Sequence, residues 1–380
     1  MSNSGDFINQ SYREGYKSTS SFLINRSFEW KDKQINIMLE SCMHRLGELN
    51  AYCKYFKDID THLPMFIAIE VTASNMMEGI RSNMTQAFLP STSKGYRSLI
   101  AQKQVTNYIH SIEWAVQEIE KFPLTLHMVK ETHRMLYADL PKEEETAGKF
   151  RMRYNAKDDK YQAPSGSKYT PPNKHDLKVL INDAKWFWRN EDLELPYLIK
   201  MAISLCQFET ILPFLDGNGR TARTLILLEL LSLKFIEKPI FCLSVFFEKN
   251  RLEYYHRLNL IRSKNDVEQW IRFFITGINE TAAFCIDRLD ELQELKDNYK
   301  ERIENKLGKK RQPSAKQLLH ILYSKPYLSV NEIKEEMQLS FQSANQLVKE
   351  FEEVGFIKEM VGAKRNRVFY LWEYLAIFEM

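Results

Sequence analysis

The sequence is poor in cysteine, glycine and proline. Its 380 residues include 5 Cys, 13 Gly and 12 Pro, which excludes collagen-like and disulfide-dense folds. The cysteines are widely spaced and form no C-x-x-C pair, so they are predicted to be buried thiols of a reducing compartment rather than disulfides or zinc ligands. They are Cys42, Cys53, Cys206, Cys242 and Cys285.

The sequence also lacks a strong excess of charge and a long apolar run. The 53 Lys and Arg residues against 50 Asp and Glu leave a net charge of +3, which does not favour bulk binding to nucleic acid or to an anionic membrane. No apolar run approaches the roughly 20 residues that span a bilayer, and the first residues do not resemble a signal peptide. A cytoplasmic protein of two to three domains, with no membrane partner, is therefore expected.

Most of the chain shows the periodicity of helices. Apolar residues recur three and four positions apart, with charged residues between them, which predicts amphipathic helices and a mainly α fold. The segments with this pattern are 30–56, 96–121, 124–140, 196–208 and 221–233. The pattern breaks at 148–172, where short alternation around a turn predicts a β-hairpin followed by an exposed loop.

The last part of the chain predicts a separate domain. Helical patterns at 314–323, 330–337 and 341–354 precede a hairpin formed by 356–360 and 367–371, which is the winged-helix order. The third helix carries Lys349 among Glu350, Glu352 and Glu353, a poor surface for phosphates, so protein interaction or dimerisation is favoured over DNA binding. The predicted organisation is an N-terminal helical region at 1–100, a core at 101–295, a charged helix end and linker at 296–312, and the winged-helix domain at 313–380.

The segment 211–223, Ile-Leu-Pro-Phe-Leu-Asp-Gly-Asn-Gly-Arg-Thr-Ala-Arg, carries the chemistry. Gly217 and Gly219 allow a tight turn before a helix, whose N-terminal amides attract anions. Arg220 and Arg223 add guanidiniums suited to a polyphosphate, and Asp216 adds a carboxylate that would hold Mg²⁺. These residues predict binding of a nucleoside triphosphate; the alternative is an ordinary turn between helices with surface arginines.

This string resembles the Fic family signature H-P-F-x-[DE]-G-N-G-R-x-x-R. The matching positions are Pro213, Phe214, Asp216, Gly217, Asn218, Gly219, Arg220 and Arg223. The resemblance extends over about 64–284. Gly148, Phe150 and Arg151 are similar to the start of the family's flap, a hairpin that clamps the target segment. Ser74, Glu78 and Gly79 fit the family's [ST]-x-x-x-E-[GN] inhibitory motif, on a helix expected at about 64–82.

The resemblance implies a protein adenylyltransferase, which transfers AMP from ATP to a Ser, Thr or Tyr hydroxyl of a target protein. By position, Asp216 would hold Mg²⁺ on the α and β phosphates. The amides of residues 217–219 and the Asn218 side chain would form an anion hole. Arg220 would grip the triphosphate and Arg223 the γ-phosphate. Glu78 would pair with Arg223 and inhibit, while Ser74 would tie the inhibitory helix to the anion hole. A homodimer is a further expected partner state.

One position departs from the family pattern. Leu212 occupies the place of the signature histidine, and an aliphatic side chain cannot act as the base, which typically contributes roughly 10²- to 10⁴-fold to the rate. Three interpretations remain: a natural pseudoenzyme that binds ATP and acts as a nucleotide-responsive interaction module, an inactivating substitution in an enzyme, or rescue by another base. None of the eight histidines lies near the motif in sequence. They are His44, His62, His110, His127, His133, His175, His256 and His320.

Overall fold

The fold was analysed in a computed structural model. It describes residues 11–13, 16–18, 23–89, 96–140, 145–151, 171–360 and 367–379. Within them the protein is mainly helical, as the periodicity predicts. The elements before residue 312 are β1 (Ser11–Arg13), β2 (Tyr16–Ser18), α1 (Gln34–Tyr55), α2 (Ile59–Met77), α3 (Thr85–Phe88), α4 (Tyr96–Ile119), α5 (Leu126–Leu136), α6 (Lys174–Arg189), α7 (Tyr197–Ile211), α8 (Asn218–Ser232), α9 (Leu243–Lys249), α10 (Arg251–Lys264) and α11 (Val267–Lys306).

Three helices form the centre of the core. Almost every residue of α2, α7 and α8 is buried, which is the pattern of helices enclosed on all sides. Helices α7 and α8 pack on each other, while α2 packs against α8 and α9. The turn that joins α7 to α8 is the signature segment, so two buried helices fix its position from both ends.

The 40-residue helix α11 connects the core with the C-terminal part of the chain. It packs on α1, α7 and α9, and its later residues Tyr299 and Ile303 are buried next to the C-terminal elements. Arg302 extends this contact through bonds to Glu373 at 2.7 Å and to the Val354 carbonyl at 3.0 Å. The charged segment from residue 296 is therefore helical as far as Lys306, and the proposed domain limits stay a prediction.

We call residues 312–379 the C-terminal unit. It contains α12 (Gln312–Ser324), β3 (Tyr327–Ser329), α13 (Val330–Glu336), α14 (Phe341–Val354), β4 (Lys358–Glu359), β5 (Val368–Tyr370) and α15 (Trp372–Ile377). The strands form an antiparallel sheet in the order β3-β5-β4, with Tyr370 opposite both Tyr327 and Lys358. Three helices and a hairpin were predicted here; strand β3 and helix α15 were not. The winged-helix assignment itself stays a prediction.

Helix α2, the flap and the cysteines were each predicted from the sequence. The helix expected at about 64–82 runs from Ile59 to Met77, because Gly79 adopts a φ of +74° and ends it. The flap is described only as far as Arg151, so the rest of the predicted hairpin lies outside the described residues. All five cysteines are free and buried, as predicted. Among the described residues, no helix is both long and apolar enough to cross a membrane.

Candidate nucleotide-binding site

The signature segment begins with an unusual backbone conformation at Leu212. This residue ends α7 with a φ of +43° and a ψ of +70°, and its side chain is buried. A positive φ is costly for leucine but is adopted more readily by Asn, Asp and His. The position that lacks the family histidine therefore keeps a backbone better suited to that histidine than to leucine.

The side chain of Asn218 fixes the turn. Its Oδ1 accepts the Phe214 amide at 2.8 Å, and its Nδ2 donates to the Phe214 carbonyl at 2.9 Å. Both amide atoms are thus engaged within the segment, whereas the family resemblance implied that this side chain forms part of the anion hole. What remains for an anion is the backbone: helix α8 starts at Asn218, and the first N–H groups of a helix have no partner within it.

Arg220, in the first turn of α8, is buried. Its Nη2 donates to the Tyr137 hydroxyl at 2.7 Å, and its guanidinium lies 5.2 Å from the centre of the Tyr137 ring. Its Nε and Nη1 have no hydrogen-bond partner among the described residues, although the residue is only 2% exposed. A buried N–H without a partner costs roughly 1–3 kcal/mol, so these two donors are available to an acceptor that enters the site.

Arg223 lies one turn further along α8 and contacts the end of α2. Its Nε donates to Ser74 Oγ at 2.8 Å, and its Nη2 donates to the Ser74 carbonyl at 2.9 Å and to Glu78 Oε1 at 2.8 Å. Ser74 Oγ also bonds the Tyr108 hydroxyl at 2.9 Å, and that hydroxyl donates to the Arg220 carbonyl at 3.0 Å. Neither arginine is a surface residue, which argues against an ordinary turn.

A second carboxylate lies close to Arg223. Glu209 of α7 places Oε1 3.8 Å from Arg223 Nη1, and the Tyr254 hydroxyl donates to the same oxygen at 2.9 Å. Burial raises the pKa of Glu209, because the charged form loses its solvation. Nη1 of Arg223 makes no hydrogen bond within the described residues. The guanidinium therefore has Glu78 and Glu209 as neighbours, and its Nη1 pairs with Glu209 without donating a hydrogen bond to it.

One histidine does reach the motif. His133 of α5 stacks on Phe214, with ring centres 3.7 Å apart, and its Nε2 lies 2.9 Å from the Asp216 carbonyl. The Gly148 amide donates to Nδ1 at 2.9 Å, so the ring proton sits on Nε2 and is donated to Asp216. Burial lowers the pKa of His133 to about 4. Because both nitrogens are committed to the backbone, His133 does not replace the missing base.

The start of the flap is anchored to the same turn. The Arg151 amide donates to the Pro213 carbonyl at 2.9 Å, and its guanidinium donates to the carbonyls of Leu212 and Ile211 at 2.6 and 2.9 Å. Gly148 has a φ of +70°, and a side chain there would lie 2.9 Å from the Lys130 carbonyl, so only glycine fits. The ring of Phe150 lies 5.2 Å from that of Phe214.

Asp216 is exposed, as is its neighbour Leu215, whereas the other residues of the segment are buried. Its Oδ1 accepts the Gly217 amide at 2.7 Å, which leaves other lone pairs of the carboxylate facing outward. Mg²⁺ in nucleotide sites is held by one or two carboxylates together with phosphates and water, so a single carboxylate is a suitable donor set. The uncommitted N–H groups of the two buried arginines are donors of the kind that phosphate oxygens accept.

Known proteins resemble this chain in sequence and in fold. Residues 123–230 match the sequence profile of the Fic/DOC family. A solved Fic family protein from Desulfovibrio desulfuricans G20 superposes with a TM-score of 0.52 at 16% identity, covering 91% of this chain and 98% of that one. Fic-1 from C. elegans gives a TM-score of 0.50 at 18% identity, covering 68% and 73%. Residues 123–230 thus form a Fic/DOC family domain, and the predicted Fic-type fold is confirmed.

Four residues that shape the site were not predicted from the sequence: Tyr108, His133, Tyr137 and Glu209. Tyr137 and His133 lie four residues apart on one face of the segment after Pro123, but nothing in that helix shows which segment it faces. Glu209 was a weak signal that could have been noticed, because it is the only charged residue in the otherwise apolar or polar stretch 201–215. An isolated acid on a buried helix needs a cation nearby.

Proposed function

We propose that this protein is a Fic-type nucleotidyltransferase by lineage, which binds ATP with Mg²⁺ at the start of α8 and is held in an inhibited state by Glu78. The observation that carries the proposal is the pair of buried guanidiniums of Arg220 and Arg223, which retain uncommitted N–H donors within the described residues. Two such cations beside a helix N-terminus suit a triphosphate better than a single carboxylate.

The inhibition follows from competition for one guanidinium. Glu78 occupies Nη2 of Arg223, the position at which a γ-phosphate oxygen would otherwise bind. Productive binding of ATP therefore requires the Glu78 carboxylate to leave, at the cost of a charge-assisted hydrogen bond of roughly 1.5–3 kcal/mol. Glu209 and Ser74 keep Arg223 in place when it does.

Transfer of AMP would form a bond from the target hydroxyl oxygen to the α-phosphorus and break the bridging P–O bond to the β-phosphate. Pyrophosphate leaves, and Mg²⁺ on Asp216 would supply charge neutralisation at the phosphates. The arginines and the α8 amides stabilise the charge of the leaving pyrophosphate. The hydroxyl proton needs an acceptor, and the aliphatic side chain of Leu212 is not one.

A second function is favoured by the same residues. Leu212 is buried and both nitrogens of His133 are committed, so the site as it stands supports ATP binding without efficient transfer. In this second function the protein is a nucleotide-responsive interaction module, in which ATP changes the contacts of α2.

Calorimetric titration with ATP and Mg²⁺ tests the binding part. Glu78→Gly should tighten ATP binding at least about tenfold, and Glu78→Gln, which keeps the shape but loses the charge, should give a smaller gain. Arg220→Ala in the Glu78→Gly background should abolish most of the binding. If Glu78→Gly binds no ATP at millimolar concentration while remaining folded, the proposal is wrong.

Transfer is tested by restoring the histidine. The Leu212→His, Glu78→Gly double variant should incorporate label from α-³²P-ATP but not from γ-³²P-ATP, which separates AMP transfer from phosphoryl transfer. The matched control is Leu212→Asn with Glu78→Gly, since asparagine also tolerates a positive φ but is not a base. A double variant that binds ATP but labels no protein, itself included, would support the interaction module instead.

A further inference from the structure

The helix that carries the inhibitory residues is seated on the C-terminal unit. His62, in the first turn of α2, lies completely buried against Tyr374 of α15, with 2.9 Å between His62 Nδ1 and the Tyr374 hydroxyl. The same hydroxyl donates to the Tyr323 carbonyl of α12 at 2.9 Å. One phenol therefore joins α2, α12 and α15.

Aromatic contacts extend this seat along α2. The ring of Phe66, one turn after His62, meets Phe378 edge to face with 5.3 Å between ring centres. The rings of His62 and Tyr323 are 5.0 Å apart, and Tyr374 in turn packs on Phe378 at 5.3 Å. All five rings are buried, so the first half of α2 has a close-packed partner surface in the C-terminal unit.

A second contact lies on the other side of Glu78. The chain leaves α2 at Gly79 and forms α3, where Thr85 Oγ1 lies 3.2 Å from the Tyr327 hydroxyl of β3. The corner that holds Glu78 is thus bracketed: His62 and Phe66 contact the C-terminal unit before it, and Thr85 contacts the same unit after it.

Between these contacts α2 is a single buried helix, which contains Pro64 near its start. It is continuous from Ile59 to Met77, and the stretch from Met65 to Asn75 is buried throughout. His62 and Ser74 are twelve residues apart, or about 18 Å along the axis. A buried helix transmits a shift of one end to the other, because its packed neighbours allow discrete positions rather than continuous bending.

We propose that the C-terminal unit positions Glu78 on Arg223, with Tyr374 and Tyr327 as the positioning residues. Displacement of the unit, for example by a bound protein partner, releases the carboxylate and opens Arg223 to the nucleotide. The inference rests on the proposed function, because it assigns the regulation of that same site. The proposal couples the nucleotide site to the contact between α2 and the C-terminal unit. Such a coupling is reciprocal, so ATP binding weakens the packing of α2 on the C-terminal unit.

The test uses two conservative substitutions in the full-length chain. Tyr374→Phe removes the hydroxyl that joins His62 to Tyr323, and Tyr327→Phe removes the bond to Thr85. Each should tighten ATP binding about fivefold, at the low end of allosteric couplings, as measured by calorimetry. In the Glu78→Gly background the same substitutions should leave the Kd for ATP unchanged, because no carboxylate remains to be positioned.

The matched control is Tyr299→Phe. Tyr299 is a buried tyrosine of α11 that packs on Phe356 of the C-terminal unit, with 5.0 Å between ring centres. This control should not change ATP affinity in either background. If Tyr374→Phe shifts the affinity equally with Glu78 and with Gly at that position, it acts by general loosening and the inference is overturned.

A measurement without nucleotide separates this inference from the proposed function. Hydrogen exchange of the peptide covering residues 70–80 should be faster in Tyr374→Phe and Tyr327→Phe than in the unaltered protein, and unchanged in Tyr299→Phe. Unaltered exchange in both positioning variants would overturn the inference even if ATP binds as proposed. If Glu78→Gly does not bind ATP but exchange is faster in the two positioning variants, the proposed function is wrong and the positioning of α2 by the C-terminal unit is still supported.

Discussion

The Glu78 carboxylate lies in the space that a side chain at position 219 would need. A Cβ atom built on Gly219 lies 2.1 Å from Oε1 of Glu78 and 2.7 Å from Nη1 of Arg223. Helix α2 approaches the start of α8 this closely only because residue 219 has no side chain. Gly219 therefore permits the contact between Glu78 and Arg223 as well as the turn.

Gly219→Ala should lower the free energy of unfolding by about 1–3 kcal/mol, the usual cost of overpacking. In the Glu78→Gly background the loss should be smaller, since the nearest atom is gone. Urea unfolding of the four proteins measures the difference. Gly47→Ala is the control: the site lies within α1, has nothing within 4 Å of the added Cβ, and should gain stability by about 0.5–1 kcal/mol. Equal losses in both backgrounds would contradict the explanation.

Asn218→Asp keeps an acceptor for the Phe214 amide but removes the donor to the Phe214 carbonyl. The buried carbonyl then loses its partner and faces a carboxylate, so the free energy of unfolding at pH 7 should fall by roughly 1–3 kcal/mol. Urea unfolding followed by circular dichroism measures this. Unchanged stability would mean that the turn does not depend on the Asn218 side chain.

Tyr137→Phe removes the hydroxyl that holds Arg220 Nη2. ATP affinity in the Glu78→Gly background should fall roughly tenfold, since the guanidinium loses both its orientation and one bond. Calorimetry gives the Kd. The same substitution in an Arg220→Ala protein should change nothing further, and Tyr197→Phe, at a half-exposed tyrosine, is the control for loss of a phenol.

The stability of the protein should decrease as the pH falls below about 6.5. Burial lowers the pKa of His133 to about 4 and that of His62 to about 3. A lowered pKa in the folded state means that the unfolded state binds the proton first, so stability is full above pH 6.5 and is lost on acidification towards the folded values. Each histidine contributes up to about 1.4 kcal/mol per pH unit in that window.

Comparison of variants isolates this effect from that of the buried carboxylates. Urea unfolding at pH 7, 6 and 5 should show a shallower acid loss for His133→Gln than for the unaltered protein, although its stability at pH 7 is lower. His44→Gln, at an exposed histidine of α1, should leave the slope unchanged. An identical slope in His133→Gln would show that the imidazole takes up its proton equally well in the folded state.

The local pattern of the chain determined the helices and predicted the kind of ligand. The period of apolar residues placed α1, α4, α7 and α14 to within a few residues, because a helix that buries one face must repeat that face. The Gly-Asn-Gly turn before a helix with two arginines indicated an anion site for the same local reason. The end of α2 was predicted five residues late, since only the positive φ of Gly79 showed where the turn occurs.

Long-range contacts were decided by the tertiary structure. The sequence shows that Leu212 cannot act as a base. It does not show that His133 lies beside the motif with both nitrogens hydrogen-bonded, because that contact joins residues 83 positions apart in the chain. The seat of α2 on Tyr374 joins residues 312 positions apart. Sequence periodicity reports which face of a helix is buried; it carries no information on which distant side chain fills the space, because that choice is made by packing.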